Sequence, residues 1–331
     1  MLGGVEERAF ERAGRSVGVI GLGAWQLGGD WGEIDDAAAV EVLDGALDAG
    51  VTFIDTADVY GDGRSERSCG ALAARRPQAN VMIATKMGRR MPQVPENYSR
   101  ENFLAWNDRS RRNLGVETLD LVQLHCPPTE VYRDDAVFAV LDEMVAEGRM
   151  RSYGVSVESC EEALLAIARP NVASVQIILN CLRLKPLEQV LPAAREAGVA
   201  IIARVPLASG LLSGRYDEHT TFPAEDHRTY NRHGEAFDVG ETFSGVPYEI
   251  GLEAVRRLAA LVPTGASMAQ FALRWIIDQP GVAVVIPGAR NASQARANAA
   301  SAELASLSSE QLRAVSEVYD ELIRPHVHER W

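Results

Sequence analysis

The sequence predicts a (β/α)8 barrel of the TIM type, and three observations carry the prediction. Eight short runs rich in valine, isoleucine and leucine recur along the 331 residues. Segments with apolar residues at helical spacing separate them. Several of the runs are almost continuously apolar, as suits parallel strands covered on both faces. Eight strands joined by helical crossovers fit a closed barrel. A doubly wound open sheet is the alternative reading of the same alternation.

The elements follow in order. SVGVIGLGAW (16–25) reads as the first strand, and DDAAAVEVLDGALDAG (35–50) as a helix that Gly50 stops. VTFIDTA (51–57), VMIATKM (81–87) and LDLVQLH (119–125) are the next three strands. Helical patterns at 64–76 and 99–114 separate them, and another follows at 134–148. MRSYGVSV (150–157), SVQIILN (174–180) and VAIIARVPL (199–207) continue the alternation, with helices at 158–169 and 187–198, the latter stopped by Gly198. Two helices, 248–261 and 265–278, precede the last strand, VAVVIPG (282–288), and a helix over 308–323 follows. No Pro/Ser-rich linker interrupts the chain, so one domain over 1–331 is expected. The one long irregular stretch, 215–247, comes after the seventh strand, where it would lie over the barrel mouth.

Composition narrows the function. A net charge of −13 repels nucleic-acid backbones and anionic membranes, and no apolar run is long enough to span a bilayer. Residues 1–14 lack the apolar core of a signal peptide. Cys69, Cys126, Cys160 and Cys181 are scattered without a CxxC, which suits reduced thiols and a cytoplasmic location. His219, His227 and His233 share the irregular stretch, but no HExxH or Cys/His cluster accompanies them, so no metal is expected.

Four polar residues stand at or just past the ends of strand-like runs: Asp55, Tyr60, Lys86 and His125. A polar residue at a strand end can merely be solvated or cap the next helix. In a barrel, however, all strand C-termini meet on one face. An acid, a phenol, an amine and an imidazole gathered there form a proton-handling set. A phenol titrates near pH 10. An adjacent ammonium favours the phenolate and lowers that value, and a carboxylate keeps the ammonium charged. A neutral imidazole can hydrogen-bond a substrate oxygen. Such a set calls for a separate source of hydride, which implies a nicotinamide cofactor.

FIDTADVYGDGRSE, MIATKMG, LDLVQLH, YGVSV, VPLASGLLSGR and VIPGARN together resemble, in order and spacing, the successive motifs of the aldo-keto reductase family. The resemblance covers about residues 16–300. It implies the barrel with an N-terminal β-hairpin and extra C-terminal helices. It also implies a catalytic tetrad of Asp55, Tyr60, Lys86 and His125, with Tyr60 as the general acid/base. The implied reaction is NADPH-dependent reduction of a small aldehyde or ketone, without a metal. Gly23 and Ala24 would border the cofactor and Trp25 the substrate. Ser156 and Gln176 would hold the nicotinamide carboxamide, with Arg204 nearby. Pro206, Leu207, Gly210 and Arg215 would wrap the pyrophosphate. Gly288 and Arg290 would precede a helix started by Asn291 or Ser293, with Arg290 on the 2′-phosphate, which favours NADPH over NADH. Gln294 and Asn298, one turn apart, would read the adenine.

GLGAWQLGG (21–29) invites a dinucleotide-fingerprint reading, but Gln26 stands where the third glycine is required. Three positions depart from the common family pattern: Val157 replaces an asparagine, Arg204 an aromatic that stacks on the nicotinamide, and Ala297 an acidic residue near the adenine. Two other functions remain compatible with the sequence. One is a cofactor-sensing regulatory subunit with little turnover. The other is a Schiff-base lyase using Lys86, which a nearby Asp55 would oppose.

Overall fold

The structure is a computed structural model that describes residues 6–28 and 35–331. Gly29, at the end of the 21–29 run, lies outside the described residues. Two strands, β1 (Glu7–Phe10) and β2 (Arg15–Gly18), pair antiparallel as a hairpin. Gly14 permits the tight return, with φ at +63°. Eight strands then form one parallel sheet in chain order: β3 (Leu22–Gly23), β4 (Phe53–Asp55), β5 (Met82–Met87), β6 (Leu119–His125), β7 (Met150–Ser156), β8 (Val172–Ile178), β9 (Ala200–Arg204) and β10 (Val282–Val285). Parallel bridges from Ile20 to Val285 and from Gly23 to Gly288 bring the last strand back to the first and close the barrel. The open-sheet alternative is thereby excluded.

The expected first strand, 16–25, is in fact two elements. Arg15–Gly18 belongs to the hairpin, and Leu22–Gly23 to the barrel wall. Val17 in the first and Leu22 in the second are both buried, so an apolar run cannot distinguish them. Phe10 and Val17 from the hairpin pack against Phe53, Met82, Leu121, Ala200 and Ala283, plugging the barrel interior at the strand N-termini. A second, larger apolar layer lies between the wall and the outer helices. The two layers leave the strand C-termini as the open face.

The helices are α1 (Asp36–Asp48), α2 (Arg64–Arg75), α3 (Arg100–Leu114), α4 (Thr129–Arg133), α5 (Asp135–Ala146), α6 (Cys160–Ile167), α7 (Val190–Ala197), α8 (His227–Tyr230), α9 (Tyr248–Ala259), α10 (Met268–Ile277), α11 (Ala292–Ala299), α12 (Ser309–Val318) and a short α13 (Arg324–Val327). Their starts follow local chemistry. Asp35 and Ser99 accept from the backbone of Ala38 and Asn102, and full capping boxes open α6, α10 and α12. Helix α7 begins at Val190, three residues later than expected, which places Pro192 in the first turn, where its missing N–H is tolerated. The expected 308–323 helix is α12 continued by one π-turn over Tyr319–Ile323.

The 215–247 stretch folds back on itself. It carries α8 and two 3-10 turns, Val239–Glu241 and Phe243–Gly245. Phe222 packs on Tyr216 and Phe243 at centroid distances of 5.2 and 5.9 Å. Among the described residues, no helix is long and apolar enough to cross a membrane.

Candidate active site

Asp55 closes β4, Lys86 lies next to the end of β5 and His125 closes β6, so the parallel register brings all three to the open face. Tyr60 arrives from the β4–α2 turn. There Gly61, at φ +56°, lets the backbone press against residue 28; a Cβ at this position would sit 2.4 Å from the Gly28 carbonyl oxygen. The turn therefore fixes where the phenol points.

Lys86 is the hub. Its Nζ donates to Asp55 Oδ2 at 2.5 Å, to the Thr56 carbonyl at 2.9 Å and to the Tyr60 hydroxyl at 3.2 Å. The side chain is 1% exposed, and an ammonium so deeply buried requires these partners. Burial pulls its pKa down, but Asp55 and Tyr60 outweigh that and the net direction is up. Lys86 therefore stays charged. Burial raises the pKa of Tyr60; Lys86 lowers it and Asp55 raises it, and the net direction is also up. This corrects the expectation of a net lowering by the ammonium: in a site this dry, desolvation of the phenolate is the larger effect. Tyr60 thus stands protonated at neutral pH, with a cation already placed to receive the charge when it loses its proton. Burial, then Arg89, Lys86 and Arg204, hold His125 well below the usual histidine range, so its ring is neutral. The ring stands edge-on to Tyr60 at 6.0 Å, and its buried Nδ1 has no hydrogen-bond partner.

A cavity of about 640 Å³ runs over these groups and along the mouth. Near the tetrad its wall is aromatic. Trp25 stacks on Tyr60 at 6.1 Å with planes 23° apart, and Phe237 meets Trp25 edge-on at 6.0 Å. Lys86 lies beneath the floor, and Ala24 does not reach the cavity. Ala24 is fully buried, its carbonyl accepting from Ser65 Oγ and its N–H held by the Asp55 carbonyl. Gly23 does border the cavity, but it sits in the barrel wall, so the 21–29 run is no phosphate loop.

Ser156 and Gln176 line the next stretch. The Gln176 nitrogen donates to Asp55 Oδ1 at 2.7 Å, which leaves its oxygen for any ligand. Arg204 donates to the Val157 carbonyl at 2.9 Å and ion-pairs with Glu241 from the 215–247 loop. Two of the departures from the family pattern are thus joined, because the main chain of Val157 is held by the arginine. Pro206, Leu207, Gly210 and Arg215 follow. The backbone there is strained: Val205, Ala208 and Ser209 have φ of 51°, 46° and 55°. At the far end lie Gly288, Arg290, Gln294, Ala297 and Asn298. Asn291 caps α11 by accepting from the Gln294 N–H. Gln294 Oε1 accepts from the Arg290 N–H at 2.8 Å, and Asn298 Nδ2 donates to the Gly288 carbonyl at 3.1 Å. Both side chains keep a second polar atom uncommitted by these bonds.

Several residues at the site carried no signal in a linear reading: Val59, Arg89 and Glu241 on the cavity wall, and Asp58 behind it. Asp58 is fully buried, and its carboxylate has no side-chain hydrogen-bond partner, only the neighbouring Val59 N–H. Burial first, then Glu66, push its pKa up to about 7, against Arg90 and Arg109. Between the unfolded value near 4 and the folded value, the folded state binds more protons. Stability therefore falls as pH rises through that window. Asp58→Asn is expected to gain on the wild type from pH 5 to pH 8, by on the order of 3 kcal/mol in urea unfolding. A difference independent of pH would show that Asp58 does not titrate there.

The comparisons with known proteins agree with this geometry. A profile described as the Aldo/keto reductase family matches residues 19–320. Aldo-keto reductase YhdN of Bacillus subtilis is 31% identical over 299 residues, covering 88% of this chain and 87% of that protein. Among solved structures, glycerol dehydrogenase AKR11B4 from Gluconobacter oxydans superposes with a TM-score of 0.77 at 29% identity, covering 97% of this chain and 96% of that one. The holo form of aldo-keto reductase AKR11C1 from Bacillus halodurans gives 0.76 at 25% identity, with 95% and 96% covered. With the barrel, the strand-end cluster and a match over most of its length, the chain belongs to the aldo/keto reductase family.

Proposed function

We propose that the protein is an NADPH-dependent oxidoreductase that reduces an aldehyde or ketone to the alcohol. The observation that carries this reading is the Lys86 ammonium, bonded at once to Asp55 and to the Tyr60 hydroxyl on the floor of a long cavity. Family membership supports the reaction class, as does a relative named glycerol dehydrogenase. The donor set along the cavity fits the cofactor. Ser156 and the free oxygen of Gln176 suit the carboxamide, and the strained 205–210 loop with Arg215 suits the pyrophosphate. Arg290, before the capped start of α11, suits a 2′-phosphate, and Gln294 and Asn298 suit the adenine. NADPH, when bound, supplies the hydride.

This chain's residues supply the rest. Neutral His125 donates a hydrogen bond to the carbonyl oxygen and aims it at Tyr60. Tyr60 delivers its proton to that oxygen as negative charge develops there. Lys86 stabilises the phenolate left behind, and Asp55 keeps Lys86 charged and in place. Trp25 and Phe237 bound the space beside the carbonyl and restrict water.

A panel of aldehydes, ketones and sugars, run with NADPH and NADH in parallel, tests the reading. Carbonyl-dependent oxidation of NADPH is expected. Tight NADPH binding with no turnover on any carbonyl would instead indicate a cofactor sensor. Arg290→Ala is expected to raise the KM for NADPH about tenfold or more and to leave that for NADH nearly unchanged, because one charge-assisted phosphate contact is lost. Equal effects on both cofactors would remove Arg290 from the 2′-phosphate.

A further inference from the structure

The barrel interior carries a polar layer that the proposed chemistry does not fully use. Looking outward from the plug, the inner face of β6 reads Leu121, Gln123, His125. Leu121 belongs to the apolar plug and His125 stands at the mouth. Gln123 lies between them, fully buried and in register with Lys86 on β5. Its Nε2 donates to Asp55 Oδ1 at 3.1 Å, and Gln176 Nε2 donates to the same oxygen at 2.7 Å. Gln176 Nε2 also lies 3.2 Å from Gln123 Oε1. Asp55, Gln123 and Gln176 thus form one layer from alternate strands β4, β6 and β8, the arrangement in which barrel interiors are filled.

We propose that Gln123 is a positioning residue, whose amide holds the Asp55 carboxylate in the one orientation that keeps Lys86 on the Tyr60 hydroxyl. The inference rests on the function proposed above. The chemistry fixes which way the amides face. An ionised carboxylate offers only acceptors, so both glutamines must turn their NH2 groups towards it. With Oδ1 held by two amides, Asp55 cannot rotate about its terminal bond without breaking them, and Oδ2 stays on Lys86. The division of labour is clear within the layer: Gln176 also faces the cavity, whereas Gln123 does not. A leucine would fill the same space without the desolvation cost of a buried amide, so packing alone does not account for a glutamine. Loss of the Gln123 amide leaves Oδ1 on Gln176 alone and removes the Gln123 Oε1 that Gln176 Nε2 also meets, so Asp55 is held less firmly, Lys86 loosens and the cation's hold on the Tyr60 phenolate weakens.

The test uses Gln123→Leu and, should that chain fold poorly, the isosteric Gln123→Met. Leu121→Ala, two residues earlier on the same inner face, serves as a control for damage to packing. The readout is the pH profile of alcohol oxidation with NADP+, where Tyr60 must begin as the phenolate. Loss of the amide is expected to lower kcat about tenfold and to move the midpoint of the rise about one pH unit higher, with KM for NADP+ within about twofold. Leu121→Ala is expected to lower Tm and leave the midpoint in place. An unmoved midpoint in the Gln123 variants, or the same movement in Leu121→Ala, would overturn the proposal. A readout independent of turnover separates this from failure of the proposed reaction. In a crystal structure of Gln123→Met, Lys86 Nζ is expected beyond about 3.5 Å from the Tyr60 hydroxyl. An unchanged contact overturns the positioning role even if the wild type reduces every carbonyl tried.

Discussion

Tyr60→Phe is expected to lower carbonyl reduction by about 10³-fold or more, while NADPH affinity stays within about threefold, since a positioned general acid contributes roughly 10²–10⁴. The substitution removes one oxygen and little else. The ring keeps its stack on Trp25 and its edge contact with His125, and Lys86 keeps Asp55. Fluorescence titration with NADPH and steady-state rates would give the two quantities separately. A variant that retained much of the wild-type rate would place the proton donor elsewhere. The wild type should also show a reduction rate that is flat through neutral pH and falls only in alkali. The net upward shift of Tyr60 keeps its proton in place well above pH 7, and the donor is lost as pH rises through the Tyr60 pKa.

Lys86→Met should damage both stability and activity, and a second substitution should separate the two. Asp55 and Lys86 side chains are 5% and 1% exposed, so deleting the ammonium strands a buried carboxylate. Breaking such a pair costs about 3–5 kcal/mol. Adding Asp55→Asn removes the stranded charge, so the double variant should recover most of the lost stability. It should remain inactive, because nothing is left to stabilise the Tyr60 phenolate. Urea unfolding and steady-state rates on both variants check this. A double variant as unstable as the single one would mean that the lysine stem, and not its charge, supports the fold.

The parts legible in the sequence were those encoded by position along one strand. Asp55, Lys86 and His125 each end an apolar run, and parallel strands bring such ends together whatever the loops do. The same logic failed at 16–25, because Val17 of the plug strand and Leu22 of the wall strand are both buried apolar residues in one continuous run. It also could not reach contacts made across long separations. Glu241 meets Arg204 only because the 215–247 loop folds back over the mouth, and that loop has no periodicity to reveal its path. Phe237 reaches Trp25 by the same return. Gln123 did leave a trace: a glutamine inside LDLVQLH is out of place in a buried strand unless the barrel interior offers a partner. The direction of the Tyr60 shift was legible only in part. Its cation was visible at Lys86, but the depth of burial that outweighs it is a property of the closed fold.

Isotope transfer follows the hydride itself from the NADPH nicotinamide to the carbonyl carbon. Wild-type protein would be given NADPH carrying deuterium at C4 of the nicotinamide, in ordinary water, with a carbonyl from the active part of the panel. The expected product is an alcohol with one deuterium on the former carbonyl carbon, formed about 10³-fold more slowly when Tyr60→Phe is used at the same protein concentration. An alcohol without deuterium from cofactor labelled on either face, or labelled alcohol formed by Tyr60→Phe at the wild-type rate, would contradict this transfer.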